Sequence, residues 1–276
     1  MPDPRKMFSI PVDVTNPGQF YACCGLLELA TMADGEAVSW FDSDDCGFHL
    51  SVTTQQIIHL LTQLQVAEAD ADAHLGTIRA FFPDAKDLSA IAPVLIQIPA
   101  SDAEFSIDWW LSPNMNALKI WAGSGGATKI MQTLHRSIAS ILSDHEEPAM
   151  WLSLSRPVQP KPFYFDCRNS GTAVDQGASA DKLGLKVEFR PFTEFLTLIG
   201  LQRFRTYPTK SGNRRWVVRY RTWHDALPIT LASAACATGC RNLSGKAFDF
   251  PIEPRDDKGH FSYGRAEPVE QLENQP

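Results

Sequence analysis

Seven cations fall in one acid-free stretch. Between Phe195 and His224 lie Arg203, Arg205, Lys210, Arg214, Arg215, Arg219 and Arg221, with no Asp or Glu among them. Aromatic residues interleave with them: Phe204, Tyr207, Trp216, Tyr220 and Trp223. Guanidinium and ammonium groups neutralise phosphates, and flat rings stack on bases. The chain as a whole is acidic, at a formal net charge of -7. A basic patch on an acidic body points to one face built for a polyanion. Arg203, Arg205, Lys210, Arg214, Arg215, Arg219 and Arg221 are therefore the first candidate contacts, with Trp216, Tyr220 and Trp223 as aromatic support. A solvated surface face normally mixes both signs, which makes the acid-free run harder to read as ordinary surface.

A second candidate contact is the loop Gly123–Gly126 with Lys119 and Lys129. Glycines ahead of a helix can form an anion nest. The stretch lacks the G-x-x-x-x-G-K-[ST] spacing of a phosphate loop, so phosphoryl transfer is not expected. Other chemistry is thinner still. There is no G-x-S-x-G elbow, no H-E-x-x-H and no EF-hand loop. Asp108, Asp166, Asp175 and Asp181 could hold a divalent ion in a nuclease, but their spacing forces no common site. Cys236 and Cys240, with His224 and His260, are the nearest approach to a zinc set; a pair of core cysteines is the plainer reading. His49, His59 and His135 are dispersed, and no nucleophile is paired with a base. No metal and no cofactor are expected.

The elements that must position these residues read as a mixture. Phe8–Val14 alternates like a strand. Asn16 or Thr15 then caps a helix that begins at Pro17 and closes at Gly35. Gly25 inside that helix costs roughly 1 kcal/mol relative to Ala, which a close packing partner would justify. A hairpin over 37–42 and 46–52, a helix from Thr54 to Val66, strands at 93–99 and 103–110, and a helix from Ala127 to Leu142 follow. Residues 67–79 and 161–191 read as surface loops. A helix from Phe192 to Phe204 leads into the basic region, a turn, and an edge strand at 214–223. Residues 230–240 fit a strand or a helix. No internal repeat is visible. The fold class is α+β, mixed, with predominantly antiparallel sheet elements and packed helices, not doubly wound. One unit is expected over 1–260, divisible near 150 into parts of about 1–150 and 151–260, with a polar tail at 261–276. No run of 18 apolar residues is present and the start has no apolar leader, so a cytoplasmic protein is expected.

The stretch "VDVTNPGQFYACCGLLELA" (residues 12–30) resembles a CRISPR-associated family, the large-subunit-like component of type I-U interference systems, also called I-G or Dpsyc-type. The likeness continues in "DWW" (108–110), "KIWAGSGG" (119–126), "FYFD" (163–166) and "LTLIGLQRFRTYP" (196–208). It departs from the family pattern where Thr206 and Tyr207 intervene before Pro208. The resemblance implies a non-catalytic subunit of a guide-RNA surveillance (Cascade) complex, working in antiviral defence. Its implied partners are the guide RNA (crRNA), target double-stranded DNA, the backbone and guide-end-capping subunits, and a helicase–nuclease recruited on target binding. It implies a part in PAM recognition and duplex opening, with Asn16, Gln19 and Asn114 as candidate base contacts; Asn16 is equally a helix cap. A metal-dependent nuclease and a protein–protein adaptor are the rival readings.

Overall fold

The computed structural model describes residues 7–70, 76, 78, 91–99, 103–112, 114–121, 126–145, 147–157, 163–169, 188–211, 215–237, 243–254 and 261–269; for Asn116, Lys210, Ser211 and Arg215 only the backbone is described. Among these residues the fold is α+β, with four antiparallel sheets around packed helices. Helix α1 (Pro17–Asp34) starts as its sequence dictates. The Asn16 side chain accepts from the Gly18 N–H, Pro17 opens the helix, and Gly35 closes it at φ 75. Every residue from Pro17 to Ala30 is buried, so α1 is a core helix with no solvent stripe. Helix α4 (Pro191–Arg203) is the same kind of element, buried throughout Pro191–Leu201.

These two helices lie side by side and parallel. Gly18 meets Thr193, Gly25 meets Gly200, and Glu28 pairs with Arg203. In each pair the partners are 175 residues apart, as for Glu28 and Arg203. The contact is reciprocal at its centre. A Cβ on Gly25 would stand 2.1 Å from the Leu196 carbonyl oxygen, and a Cβ on Gly200 would stand 2.1 Å from that of Tyr21. Gly200 is thus the packing partner that Gly25 needs. Both helices carry Glx-Phe, then four residues, then Gly-Leu, as Gln19-Phe20 to Gly25-Leu26 and Glu194-Phe195 to Gly200-Leu201. Each is also followed by a hairpin. The two helices thus share this short pattern at their reciprocal contact. So few positions are shared because only backbone contact demands glycine, whereas the other core positions accept any well-fitting apolar side chain.

After α1 comes β2 (Val38–Phe41) and β3 (Gly47–Leu50), and β1 (Phe8–Pro11) pairs with β3. The fourth strand of that sheet, β11 (Leu227–Pro228), comes from the other half of the chain. After α4 come β9 (Thr209–Ser211) and β10 (Arg215–Arg221). The second sheet runs β13-β12-β10-β9, with β12 at Ala247–Pro254, β13 at Phe261–Tyr263, and β14 (Glu267–Pro268) also on β12. So β10 is an interior strand, where an edge strand was expected. Phe261–Tyr263 and Glu267–Pro268, expected in the polar tail, are strands; Ser262 and Tyr263 are fully buried. A third sheet, β4 (Gln65–Glu68), β5 (Val94–Ile98) and β6 (Ala103–Ile107), follows α2 (Thr54–Gln63). The pair β7 (Arg156–Pro157) and β8 (Glu188–Phe189) precedes α4. Helix α2 stops at Gln63, short of the expected Val66, because Gln65–Glu68 pairs with β5.

Helix α3 (Ala127–Asp144) buries Ile130, Leu134, Ile138 and Ile141 as its spacing dictates. Residues 229–236 form a helix, α5 (Ile229–Cys236). The 163–166 segment is the main departure among expected loops. Phe163, Tyr164, Phe165 and Asp166 are buried, and the Phe165 carbonyl oxygen lies 2.6 Å from where a Cβ on Gly18 would stand. The five helices and strands from the first three sheets contribute to one continuous hydrophobic cluster. None of the described helices is long and apolar enough to cross a membrane.

Candidate nucleic-acid interface

The acid-free stretch is not free of acids in space. Arg203, at the end of α4, donates from Nε and Nη2 to both carboxylate oxygens of Glu28 at 2.6 and 3.0 Å. Arg219 forms the same bidentate fork with Asp249, its cross-strand neighbour on β12, at 2.6 and 2.7 Å. Each carboxylate raises the pKa of its guanidinium. Arg221 turns back to the carbonyls of Leu243 and Gly245, and Arg205 donates from Nε to the Gln202 carbonyl at 3.0 Å. Counter-charges distant in sequence thus neutralise part of the patch. The aromatic support also differs from expectation. One face of β10 is core, with Val218 and Tyr220 fully buried. Tyr220 donates to the Val14 carbonyl, and Trp223 donates from Nε1 to the Ser39 carbonyl at 2.9 Å. Neither ring is open to a base. Trp216 is half-buried, and Tyr207 is 56% exposed.

What remains is the β9–β10 hairpin. Its register sets Lys210 opposite Trp216 and Ser211 opposite Arg215. Strand β9 is the last strand of its sheet. Arg214 lies outside the described residues. Of the second candidate contact, Lys129 is exposed in the first turn of α3, while Gly123–Gly125 lie outside the described residues. Lys119 is half-buried with its ammonium 4.7 Å from the centre of the Trp121 ring, and burial lowers its pKa to about 8.

The base-contact candidates divide. Asn114 is exposed. Asn16 and Gln19 are buried, and both serve the backbone: Asn16 caps α1, while Gln19 Oε1 accepts from the Asp13 N–H at 2.8 Å. This corrects their reading as base readers. Asn16 Nδ2 also donates to Asp166 at 2.8 Å.

Asp166 belongs to a buried polar cluster that the sequence reading missed. It is 0% exposed and accepts from Arg168 Nε and Nη2, the latter at 2.6 Å. Glu194, also 0% exposed, accepts from the N–H groups of Phe165 and Asp166, both at 3.2 Å. Tyr164, at φ 70, lets the chain wrap this carboxyl, a conformation costly for a bulky residue. The one available signal was Glu194 in the first turn of an otherwise apolar helix. Asp108 bonds to Gln202 instead, at 3.0 Å from its Nε2. Asp175, Asp181, Cys240 and His260 lie outside the described residues. Among the described residues no group of three His, Cys, Asp or Glu side chains is placed to hold a metal ion. On the outer side of the first sheet, Ser9 Oγ lies 2.8 Å from His49 Nδ1, and His49 Nε2 lies 2.7 Å from Asp42. This is a solvent-facing cross-strand ladder, also not foreseen.

A scan against protein-family models finds no match, and searches of curated proteins and of solved structures find none either.

Burial, and after it the Asp166 carboxylate, push the Glu194 carboxyl up to about 8. The folded state therefore holds a proton that the unfolded chain releases near the ordinary glutamate value of about 4.3. This contribution to stability is full below the unfolded value and is lost as pH rises through about 8. Denaturant midpoints taken across that window should fall with rising pH in the wild type. Glu194→Gln should flatten the decline; an unchanged slope in that variant would refute the assignment.

Proposed function

We propose that the chain is a non-catalytic subunit of a type I CRISPR RNA-guided surveillance complex in the cytoplasm. It contacts guide RNA and target DNA, assists recognition of the target-flanking motif and duplex opening, and sits beside the backbone subunits that the helicase–nuclease later joins. The observation that carries the nucleic-acid part is the β9–β10 hairpin. Lys210, Arg214 and Arg215 fall within six residues of sequence, strand β9 with Lys210 is the last of its sheet, and Tyr207 is exposed and Trp216 half-buried. The resemblance supplies the complex. The stretches that carry it meet in one place: Trp109 donates to the Leu198 carbonyl, Trp121 packs on Phe163, and Asn16 holds Asp166. Their shared packing supports reading them as one motif set.

The test is co-expression with guide-bearing backbone subunits, followed by binding of the assembled complex to nucleic acid over a salt series. Charge reversal at Lys210, Arg214 and Arg215 should leave assembly intact and reduce the slope of log affinity against log salt by about 2 to 3, as expected for three lost phosphate contacts. An unchanged slope removes the hairpin from the interface. Failure of the wild type to co-purify with the backbone subunits and guide removes the complex. Loss of assembly alone, with unaltered nucleic-acid binding, would favour an adaptor.

A further inference from the structure

A cavity of about 190 Å³, open on one side, lies between α1, α2 and β5. It exists because two side chains of α1 are short. Ala30 and Ala33, three apart on the helix, share a face with Asp34. Opposite them is the face of α2 that carries Leu60 and Gln63. Val52, Ile57, Leu60 and Ile98 make the wall apolar, and all four are buried, so packed core bounds the space. A cavity of about 150 Å³ lined by aliphatic side chains is enough to hold benzene. This one admits a single ring with a short tail, and it is too small for ligands that need about 300 Å³ or more.

The charges favour a cation. Asp34 is the last residue of α1 and Gln63 the last of α2, so both helices bring their C-terminal ends to the cavity. The unpaired carbonyls of a helix C-terminus carry about half a negative charge. Neither last turn contains a basic residue to offset it. The Asp34 carboxylate adds a full charge, and it has no hydrogen bond or ion pair among the described residues. The side chains of His59 and Gln63, which also line the cavity, have none either. Among the described lining residues there is no Lys or Arg. An apolar wall beside a negative rim matches an apolar body that ends in an ammonium group: the body takes water off the wall, and the charge stays at the rim.

We propose that this cavity binds a small primary amine with one ring-sized apolar body, its ammonium held at Asp34. The site shares no residue with the β9–β10 hairpin. It goes beyond the surveillance-complex reading and stands or falls independently of it.

The experiment is NMR titration of the full, isotope-labelled chain with phenethylamine, phenethyl alcohol and hydrocinnamate. The three probes carry the same ring and differ in the charge of the end group. Saturable shifts of the Ala33 and Leu60 amides are expected, with dissociation constants of millimolar order. The amine should bind about two- to fivefold more tightly than the alcohol, and hydrocinnamate more weakly than either. Asp34→Asn should shrink the advantage of the amine and leave the alcohol unchanged. Ala33→Leu, at an exposed helix position that accepts leucine, fills the space and should abolish the response to all three. Wild-type protein that binds the three probes equally, or shows no shift at these amides, overturns the site. So does an Ala33→Leu variant that binds as the wild type does. An undiminished advantage of the amine in Asp34→Asn overturns the placement of its ammonium.

Discussion

Gly200→Ala is expected to lower unfolding stability by at least about 3 kcal/mol, the upper range for overpacking. The added methyl would stand 2.1 Å from the Tyr21 carbonyl oxygen and 2.8 Å from the Gly25 nitrogen. Both obstacles are backbone of a buried helix, so no rotamer change can clear them. The helices must separate, and neighbouring contacts such as Thr197 Oγ1 to the Gly18 carbonyl, at 2.6 Å, would loosen with them. Gly25→Ala should behave alike, because the Leu196 carbonyl oxygen faces it at the same 2.1 Å. Gly35→Ala is the control. It has open space around it and only a left-handed φ of 75 to penalise, at a cost of about 1 kcal/mol. Urea melts read all three. A loss at Gly200 no larger than at Gly35 would contradict the close crossing.

Asp166→Ala is the second large effect, at about 1–3 kcal/mol, the cost of leaving the buried Asn16 Nδ2 without its acceptor; Arg168, 27% exposed, is partly screened by solvent. The carboxylate holds Asn16 Nδ2, the Arg168 N–H and the Arg168 guanidinium together. It thereby joins the start of α1 to the 163–169 segment. Without it Arg168 is left with the Leu152 carbonyl at 2.7 Å and no opposite charge in contact. Replacing both partners by apolar residues, Asp166→Leu with Arg168→Met, should recover part of the loss, since the charge of Arg168 is then gone while Arg190, 3.7 Å from Asp166, still loses its counter-charge. The same variants separate a structural from a nuclease role. A metal-holding aspartate would lose cleavage while retaining its melting temperature; a structural one loses the melting temperature itself.

Local signals were legible where the physics is local. Asn16, Pro17 and Gly35 marked both ends of α1, and Ile130, Leu134, Ile138 and Ile141 marked the buried stripe of α3, because caps and helical spacing depend on residues within a few positions. The same reasoning misplaced 163–166. The polar, glycine-rich stretch 161–191 reads as surface, whereas Phe163, Tyr164, Phe165 and Asp166 within it are core, and Glu194, far along the chain, accepts from the N–H groups of Phe165 and Asp166. The tail at 261–269 was misread for a similar reason: its strands exist only against β12.

From composition and spacing alone came the α+β class, the two ends of α1, the need for a partner at Gly25, and the concentration of cations between Phe195 and His224. Which of those cations stay unpaired was a tertiary matter. Glu28 and Asp249 are 175 and 30 residues from the arginines they neutralise, and Coulomb attraction depends on distance in space, not along the chain. The tertiary structure likewise decided that Tyr220 and Trp223 belong to the core and that α1 and α4 meet glycine against glycine. Each follows from elements that meet only after the chain has folded.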